Sequence, residues 1–413
     1  MPYYSVDMRV PLLIGLLAAT SIALVSPAKA RPIIEDPKGG ALLAFHKSLK
    51  RTARGLDQTR ILQFGASHTE CDIFTGYLRR FMQSRFGDAG HGYLMPARPW
   101  KGYRHQDLRL DSSDGWVVDK ALGATSREDG LYGLGGFSCA SNSSDAWAFF
   151  GTSNTTSFGR SASRFEIFFL EQPTGGRFEV LVDGQPYLIV STYAAHLDFG
   201  VYVGRFEDGP HEIELRPLGD GEVRLLGASL ERGAPGVIVD TLGIRGARAA
   251  DLLDIDEDLW IAQVKHRRPD LIVLAYGTNE AGDEHQPIQR YVESLSAVLT
   301  RVKRAAPDSS CVLIGPTDRP VKTPKRRKGA PPGWKPRPRV EEVNDAQRLV
   351  SGRFGCGFFS AYDAMGGPLS MVKWREASLA QKDHIHLTTR GYELLAEHFA
   401  KGLLQGYGDR AVP

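Results

Sequence analysis

The sequence predicts an α/β fold in which a doubly wound parallel sheet carries an inserted all-β, sandwich-like domain. Residues 236–413 alternate short apolar runs with amphipathic segments, and strands buried on both faces of a parallel sheet have this continuous apolar character. Residues 104–235 instead alternate polar and apolar side chains, which is typical of antiparallel strands. A strand and a helix before residue 104 complete the α/β domain, which is therefore predicted in two parts, 31–103 and 236–413.

The α/β part is predicted to begin with a strand at residues 60–64, and a tight turn at 65–69 leads from it into a helix. Pro287 opens another helix, along which apolar residues recur at helical spacing. Helices that alternate with buried strands predict helices on both faces of the sheet. The later strands are predicted at three short apolar runs, residues 236–240, 271–275 and 311–315.

The inserted segment is predicted to form antiparallel strands in a sandwich-like arrangement. Asp183-Gly184 and Asp220-Gly221 lie between its strand-like runs, and both pairs suit two-residue hairpin turns because they readily adopt positive φ. Its aromatic side chains suit either stacking on sugars or packing between strands. Packing is the preferred interpretation for Tyr132, Trp147, Phe149 and Tyr193.

The first thirty residues have the character of a secretory signal. Arg9 precedes an apolar run at 10–25, and Ala28-Lys29-Ala30 fits a small-x-small cleavage site. The alternative is an uncleaved anchor, but a run of about 16 residues is shorter than the roughly 20 that span a bilayer. We therefore expect cleavage after Ala30, a periplasmic or secreted protein, and no stable membrane insertion after cleavage.

Composition narrows the possible partners. The chain has 413 residues and a net charge of +3, and a Pro-rich stretch at 319–339 is rich in basic residues and has no acidic ones. This stretch suits either a solvated loop or a surface for an anionic polymer or membrane, and the solvated loop is preferred. Nucleic acid is not expected as a partner outside the cytoplasm, and the oligomeric state is left open. Four cysteines lack any C-x-x-C spacing, so no zinc site or redox pair is indicated. Cys311 and Cys356 either pair or are buried thiols, and buried thiols are preferred.

Four polar segments follow predicted strands or stand near the C-terminus, and they supply the candidate chemistry. In open α/β sheets, reactive groups gather at the carboxyl ends of the strands. Ser67 lies at the first strand-to-helix turn and is predicted to be the nucleophile. His386 is the candidate base, and Asp383, three residues upstream, is placed to hold the other imidazole nitrogen. His68 is not assigned a catalytic role.

Donors for an oxyanion are predicted from the same segments. The backbone N–H of Ser67, the backbone N–H of Gly246 and the side-chain amide of Asn279 are the expected oxyanion hole. Glycine suits position 246 because the backbone must approach the substrate without a Cβ in the way. Gly243 is the competing assignment.

The four segments are Gly65-Ala66-Ser67-His68, the glycines at 243–247, Gly277-Thr278-Asn279-Glu280 and Asp383-His384-Ile385-His386. Together they resemble the blocks of the SGNH, or GDSL-like, hydrolase superfamily. The resemblance implies a flavodoxin-like fold and a serine esterase without a cofactor. Two positions depart from the usual blocks. Ala66 replaces an Asp beside the nucleophile, and Glu280 replaces the Asp after Asn279.

The signal segment, the β insert and the Asp-x-x-His-Leu-Thr near the end look like peptidoglycan O-acetylesterases of Gram-negative bacteria, which carry a carbohydrate-binding-like insert. This resemblance implies removal of acetyl groups from the C6 hydroxyl of muramic acid. An O-acetyltransferase with the same triad, and a catalytically weakened glycan-binding protein, are the alternatives. A metal site at Asp383, His384 and His386 is disfavoured because further ligands are not evident. Ser229, in a second Gly-x-Ser, is interpreted as a packing residue.

Overall fold

The computed structural model describes residues 32–123, 126–324 and 333–408. The predicted signal segment, residues 1–30, lies outside the described residues, as do Lys325, Arg326, Arg327 and Lys328 of the basic stretch. Within these ranges, no helix combines the length and apolar character needed to cross a membrane. The described residues from Pro32 onward form a single compact unit.

The strands of the described ranges are numbered here in chain order. They are β1 (Gln58–Gly65), β2 (Gly90–Leu94), β3 (Leu108–Ser112), β4 (Val117–Lys120), β5 (Phe137–Ser141), β6 (Ala148–Thr152), β7 (Ala162–Glu171), β8 (Arg177–Val182), β9 (Gln185–Ser191), β10 (Asp198–Gly209), β11 (Glu212–Pro217), β12 (Val223–Glu231), β13 (Gly236–Gly243), β14 (Leu271–Ala275), β15 (Ser310–Ile314), β16 (Val321–Lys322), β17 (Trp334–Lys335) and β18 (Gly357–Phe359).

The helices are numbered in the same way, and two short 3₁₀ helices lie at Ala249–Asp254 and Glu280–Gly282. The α-helices are α1 (Leu43–Ala53), α2 (Ser67–Glu70), α3 (Ile73–Phe86), α4 (Glu257–Arg267), α5 (Ile288–Ala305), α6 (Pro338–Phe354), α7 (Ala361–Met365), α8 (Ser370–Glu376) and α9 (Thr389–Leu404).

Five strands form one parallel sheet in the order β13-β1-β14-β15-β18, so the predicted parallel α/β fold is confirmed. Counted along the chain, these strands lie in the order 2-1-3-4-5, the flavodoxin-like arrangement. The order reverses beside β1, and ligands of such sheets bind at that switch point, outside the carboxyl ends of the strands. Gly65 at the end of β1 is in register with Gly243 of β13 and Ala275 of β14.

Helices cover both faces of the parallel sheet, as the doubly wound prediction requires. On one face α4, α5 and α6 bury apolar side chains that include Trp260, Leu295 and Val343. On the other face α1, α3 and α9 contribute a second core that contains Phe45 and Phe399. Because the strands lie between these two apolar layers, their side chains are buried in both directions, which explains their continuous apolar sequence.

The antiparallel strands form two sheets that pack against each other. One has the order β10-β7-β12-β5-β4 with β2 on β12, and the other has the order β3-β6-β11-β8-β9. Phe165 and Phe169 of the first sheet meet Phe150, Phe178 and Ile213 of the second in a shared core. This is the layered packing of a sandwich. Strand β2 precedes residue 104, so the antiparallel strands begin earlier in the chain than the predicted boundary of the insert.

The two predicted hairpin turns have different outcomes. Asp183 and Gly184 both have positive φ and join the paired strands β8 and β9, as expected. The hairpin prediction for Asp220-Gly221 is wrong, because β11 and β12 belong to different sheets. Instead, the Asp220 carboxylate accepts hydrogen bonds from the backbone N–H (2.8 Å) and the Nε (2.6 Å) of Arg177.

Cys311 and Cys356 form a disulfide, so the preference for buried thiols was wrong. Val312 of β15 is paired with Gly357 of β18, and the two cysteines immediately precede these residues. Their Cα atoms are therefore 4.8 Å apart, within the distance that a disulfide spans. Cys71 and Cys139 are free.

A buried ion network joins the sandwich to the α/β part. The Arg267 guanidinium at the end of α4 contacts Glu166 (2.8 Å) and Glu231 (2.7 Å) of the sandwich and Asp240 (2.8 Å) of β13. All four side chains are almost completely buried. Charges that are removed from water in this way are tolerated only while they are paired.

Replacing Arg267 with alanine is expected to lower the free energy of unfolding by about 3–5 kcal/mol, because Glu166, Glu231 and Asp240 would lose their shared cation in a buried environment. Urea unfolding of the two proteins measures this difference. Arg304→Ala is the matched control, since Arg304 pairs with Glu257 at the surface, where an ion pair contributes about 1 kcal/mol or less. Equal losses for the two variants would contradict a special role for the buried network.

Candidate active site

Ser67 begins α2 directly after β1, at the carboxyl edge of the parallel sheet. Gly65 permits this sharp turn, since a Cβ there would lie 2.2 Å from Thr69 Oγ1 and 2.9 Å from the Ala275 carbonyl oxygen. The Ala66 carbonyl accepts hydrogen bonds from the backbone N–H groups of Thr69 (3.0 Å) and Glu70 (2.9 Å). Backbone hydrogen bonds therefore close the turn, although Ala66 lacks the carboxylate of the Asp that is usual at this position.

Three side chains that are far apart in the sequence form one hydrogen-bonded row. Ser67 Oγ lies 2.9 Å from His386 Nε2, and His386 Nδ1 lies 2.7 Å from Asp383 Oδ2. With its proton on Nδ1, the imidazole donates to Asp383 and leaves Nε2 as an acceptor for the Ser67 hydroxyl. The structure thus brings the predicted nucleophile, base and carboxylate together, in the arrangement that activates a serine.

Asp383 is held in place by more than its contact with the imidazole. Its Oδ1 accepts hydrogen bonds from the backbone N–H groups of Ile385 and His386, each at 3.0 Å. Partial burial raises the pKa of Asp383, but the hydrogen bonds from His386 and from these N–H groups outweigh it, and the pKa is lower than usual. Asp383 is therefore a carboxylate at neutral pH and can stabilise an imidazolium beside it.

The two glycines that compete as oxyanion donors have different surroundings. A Cβ on Gly243 would lie 2.4 Å from the backbone nitrogen of Glu70, so glycine is needed there for close packing of β13 on α2. Gly246 has φ +84°, and the nearest atom to a Cβ built there is Leu122 Cδ2, at 3.8 Å. An open position with a left-handed backbone favours Gly246 as the donor.

Asn279 follows β14 and links two of the site segments. Its Nδ2 donates a hydrogen bond to the Ala247 carbonyl at 2.8 Å, next to Gly246. An amide nitrogen has two N–H groups, so this bond orients the side chain and leaves one N–H for another acceptor. The position of Asn279 is therefore fixed relative to the segment that carries Gly246.

Glu280, the second departure from the usual blocks, connects the same two segments. Its Oε1 accepts from the backbone N–H of Ala249 and its Oε2 from that of Gly277, both at 2.9 Å. Burial raises the pKa of Glu280, and the backbone hydrogen bonds partly oppose this effect. The Glu280 side chain, which is longer than the usual Asp, thus positions the loop that carries Asn279. The Asp-to-Glu difference alone does not reveal this role.

His68 and His384 lie beside the row without being part of it. His68 Nδ1 is 2.8 Å from the Tyr392 hydroxyl, and burial, followed by the proximity of His386, lowers the pKa of His68 to about 3. His68 is thus neutral near pH 7 and adds no positive charge next to His386. The ring of His384 packs on Trp334, with centroids 3.9 Å apart. Sequence reasoning did not identify Trp334 as a neighbour of the site.

Among the described residues, Asp72, His91 and His105 form a cluster whose chemistry could suit a metal ion. Most of their polar atoms already have partners, although the buried His91 Nδ1 has none among the described residues. His91 Nε2 and His105 Nδ1 are 2.8 Å apart, and Arg79 Nη2 donates to Asp72 at 2.8 Å. A guanidinium bound to the carboxylate opposes a second cation there, so this cluster is better explained as a buried hydrogen-bond network.

The chain is similar to a known protein family and to solved structures. Residues 214–394 match the model of the GDSL-like Lipase/Acylhydrolase family, a segment that contains Gly246, Asn279, Asp383 and His386 but not Ser67. A solved structure described as a peptidoglycan O-acetylesterase in action has 24% identity and a TM-score of 0.75, over 92% of this chain and 100% of that chain. The chain has the SGNH hydrolase fold. The resemblance deduced from the four sequence blocks is confirmed.

Other solved structures are less similar overall. A putative GDSL-like lipase from Parabacteroides merdae has 21% identity over 42% of this chain and 74% of its own, with a TM-score of 0.30. A family two carbohydrate esterase from Clostridium thermocellum has 12% identity over 72% and 99%, with a TM-score of 0.29. No curated protein sequence matches the chain.

Replacing Asn279 with alanine is expected to lower kcat for ester hydrolysis by about 10²–10³-fold, because one donor to the developing oxyanion is removed. KM should change much less, since the interaction forms mainly in the transition state. Steady-state kinetics with a chromogenic acetyl ester measure both constants. Gln289→Ala is a suitable control, since the exposed Gln289 side chain donates to Glu293 on the surface of α5. A loss confined to KM would contradict the assignment of Asn279 to the oxyanion hole.

Proposed function

We propose that this protein is an exported serine carbohydrate esterase that removes O-acetyl groups from peptidoglycan or a related cell-envelope glycan. The observation that carries the proposal is the 2.9 Å contact between Ser67 Oγ and His386 Nε2, with Asp383 on the far side of the imidazole. The similarity of fold to a peptidoglycan O-acetylesterase over 92% of the chain supports the substrate class.

In the first half of the reaction, Ser67 Oγ attacks the acetyl carbonyl carbon and His386 Nε2 takes its proton. The carbonyl oxygen becomes an oxyanion, which accepts hydrogen bonds from the Ser67 and Gly246 N–H groups and from Asn279. When the tetrahedral intermediate collapses, the bond to the sugar oxygen breaks and His386 returns the proton to that oxygen. The products of this half are the free sugar hydroxyl and acetyl-Ser67.

In the second half, His386 removes a proton from a water molecule whose oxygen attacks the acetyl-Ser67 carbonyl. The same three donors stabilise the second oxyanion, and the proton returns to Ser67 Oγ as acetic acid leaves. One ester and one water are consumed for each hydroxyl and each acetic acid formed. Asp383 stays ionised throughout and stabilises the imidazolium that forms in each half.

The proposed export depends on the segment before residue 31. Arg9, the apolar run at 10–25 and the Ala28-Lys29-Ala30 sequence support a cleaved signal. N-terminal sequencing of the protein recovered from outside the cytoplasm should begin at Arg31. Recovery of a chain that still starts at Met1 would contradict the proposed cleavage.

An experiment with O-acetylated peptidoglycan tests the activity and separates it from the alternatives. Acetate should appear in step with the loss of glycan acetyl groups, both without and with added glycan oligomers. If the acetyl groups move to the oligomers instead, the protein is an O-acetyltransferase, because a sugar hydroxyl rather than water reaches the acyl-enzyme. If the acetyl groups stay on the glycan, the esterase proposal is wrong.

A further inference from the structure

A cleft of about 320 Å³ lies beside the site, where the α/β part meets the sandwich. Glu70 at the end of α2 and Arg245 after β13 line one side of it. Lys120 at the end of β4 and Phe137 at the start of β5 line the other. This volume is within the range of small-ligand sites, and such sites often lie between structural units.

The cleft adjoins the residues proposed to perform the chemistry. Glu70 ends the four-residue helix that Ser67 begins, so their Cα atoms are separated by about one helical turn, roughly 5 Å. Arg245 directly precedes Gly246 and donates two hydrogen bonds of 3.0 Å to Glu70. A ligand in the cleft would therefore lie close to the helix that Ser67 begins and to the segment that carries Gly246.

The charged groups of the cleft leave one cation without a partner. Glu70 and Arg245 neutralise each other through their bidentate pair. Lys120 is half-buried, and among the described residues no carboxylate lies within ion-pair distance of its ammonium group. An anionic group on a ligand would gain a charge-assisted hydrogen bond from Lys120 without displacing an existing partner.

Between these charged groups, the cleft presents apolar and aromatic surface. Trp100 lines it together with Phe137 and Ile244. The indole is held by Tyr103, edge-on at 4.8 Å, and by Phe137 at 5.5 Å between ring centroids. An indole fixed in this way offers rigid apolar area on which the C–H face of a pyranose ring can pack.

We propose that this cleft is a subsite for a sugar that carries a carboxylate, with Lys120 pairing the carboxylate and Trp100 packing on the sugar ring. The inference rests on the proposed function, because it assigns the cleft to a carboxylate-bearing sugar of the glycan that carries the acetyl group. Trp100 is not one of the aromatic residues for which the sequence suggested stacking on sugars. Of those, Tyr132 is fully buried, whereas Tyr193 is exposed but does not line the cleft.

Calorimetric titration of the full mature chain with Ser67→Ala tests the subsite independently of catalysis. The probes are a tetrasaccharide of alternating N-acetylglucosamine and N-acetylmuramic acid, whose lactyl groups are carboxylates, and chitotetraose, which has none. We expect the acidic tetrasaccharide to bind about tenfold more tightly than chitotetraose, the typical effect of one charge-assisted hydrogen bond. Equal affinities for the two probes, or no binding of either, would overturn the proposal.

Variants in the same Ser67→Ala background assign the effect to residues. Lys120→Gln should abolish the tenfold preference, and Lys120→Arg should retain most of it. Trp100→Ala should weaken the binding of both probes to a similar extent. Lys265→Gln, an exposed lysine on α4, removes the same charge elsewhere and should preserve the preference, so an equal loss with Lys265→Gln would overturn the role of Lys120. Esterase activity of the wild type is measured separately. Loss of the binding preference with esterase activity present would overturn the subsite alone, whereas absence of esterase activity would overturn the proposed function.

Discussion

Replacing Ser67 with alanine is expected to lower kcat for acetyl ester hydrolysis by about 10⁴–10⁶-fold. The variant has no hydroxyl to form the acyl-enzyme, while His386 and Asp383 keep their contact. Residual hydrolysis should come from the oxyanion donors acting on water directly. The measurement is the initial rate of chromogenic acetyl ester hydrolysis at saturating substrate.

Ser229→Ala is the matched control, because Ser229 also follows a Gly-Ala pair but lies in β12. Its hydroxyl donates to Glu166 at 3.1 Å and is buried. This substitution should lower stability by about 1.5–3 kcal/mol through the lost hydrogen bond to the charged Glu166 and leave the rate within a few fold. If Ser67→Ala and Ser229→Ala retained similar rates, Ser67 would not be the nucleophile.

Replacing Asp383 with asparagine is expected to lower kcat by about 10⁴-fold with little change in fold. The amide oxygen of the new side chain can still accept from the N–H groups of Ile385 and His386. Its NH₂ would then face His386 Nδ1 and donate to it, so the imidazole proton would move to Nε2. His386 could no longer accept the proton of Ser67.

The pH profile tests the tautomer explanation. Hydrogen bonds from His386 and the backbone hold the pKa of wild-type Asp383 below its usual value despite partial burial. The carboxylate therefore persists as the pH falls toward the ordinary range for aspartate, and its stabilising contacts are lost only below that range. Asp383→Asn should remain impaired at every pH from 5 to 9. Recovery at high pH would contradict the tautomer argument.

The fold and the candidate site were predictable where local sequence determines them. The four predicted α/β strands are continuous apolar runs because helices cover both faces of their sheet, and that burial is visible in the sequence. The site segments follow these strands, so the topology brings Ser67, Gly246 and Asn279 to one edge. His386 and Asp383 were recognisable from their spacing and from the superfamily resemblance.

Features that depend on long-range packing were not predictable. The disulfide requires β15 and β18 to be neighbours with Cys311 and Cys356 in register, which a single sequence does not specify. Strand β2 has a Gly-rich sequence with little strand propensity and is stabilised by pairing with β12. The Arg267 network depends on acidic residues of the sandwich and of β13, far from it in sequence.

Mass spectrometry of the intact protein, quenched during turnover of an acetyl ester, tests the central claim most directly. The proposed mechanism predicts that wild-type protein gains the mass of one acetyl group and that peptide fragmentation locates this group on Ser67. Asp383→Asn and Ser67→Ala should show no such species. Hydrolysis by wild-type protein with the acetyl group on another residue, or with an unmodified chain under conditions where deacylation is rate-limiting, would contradict the account.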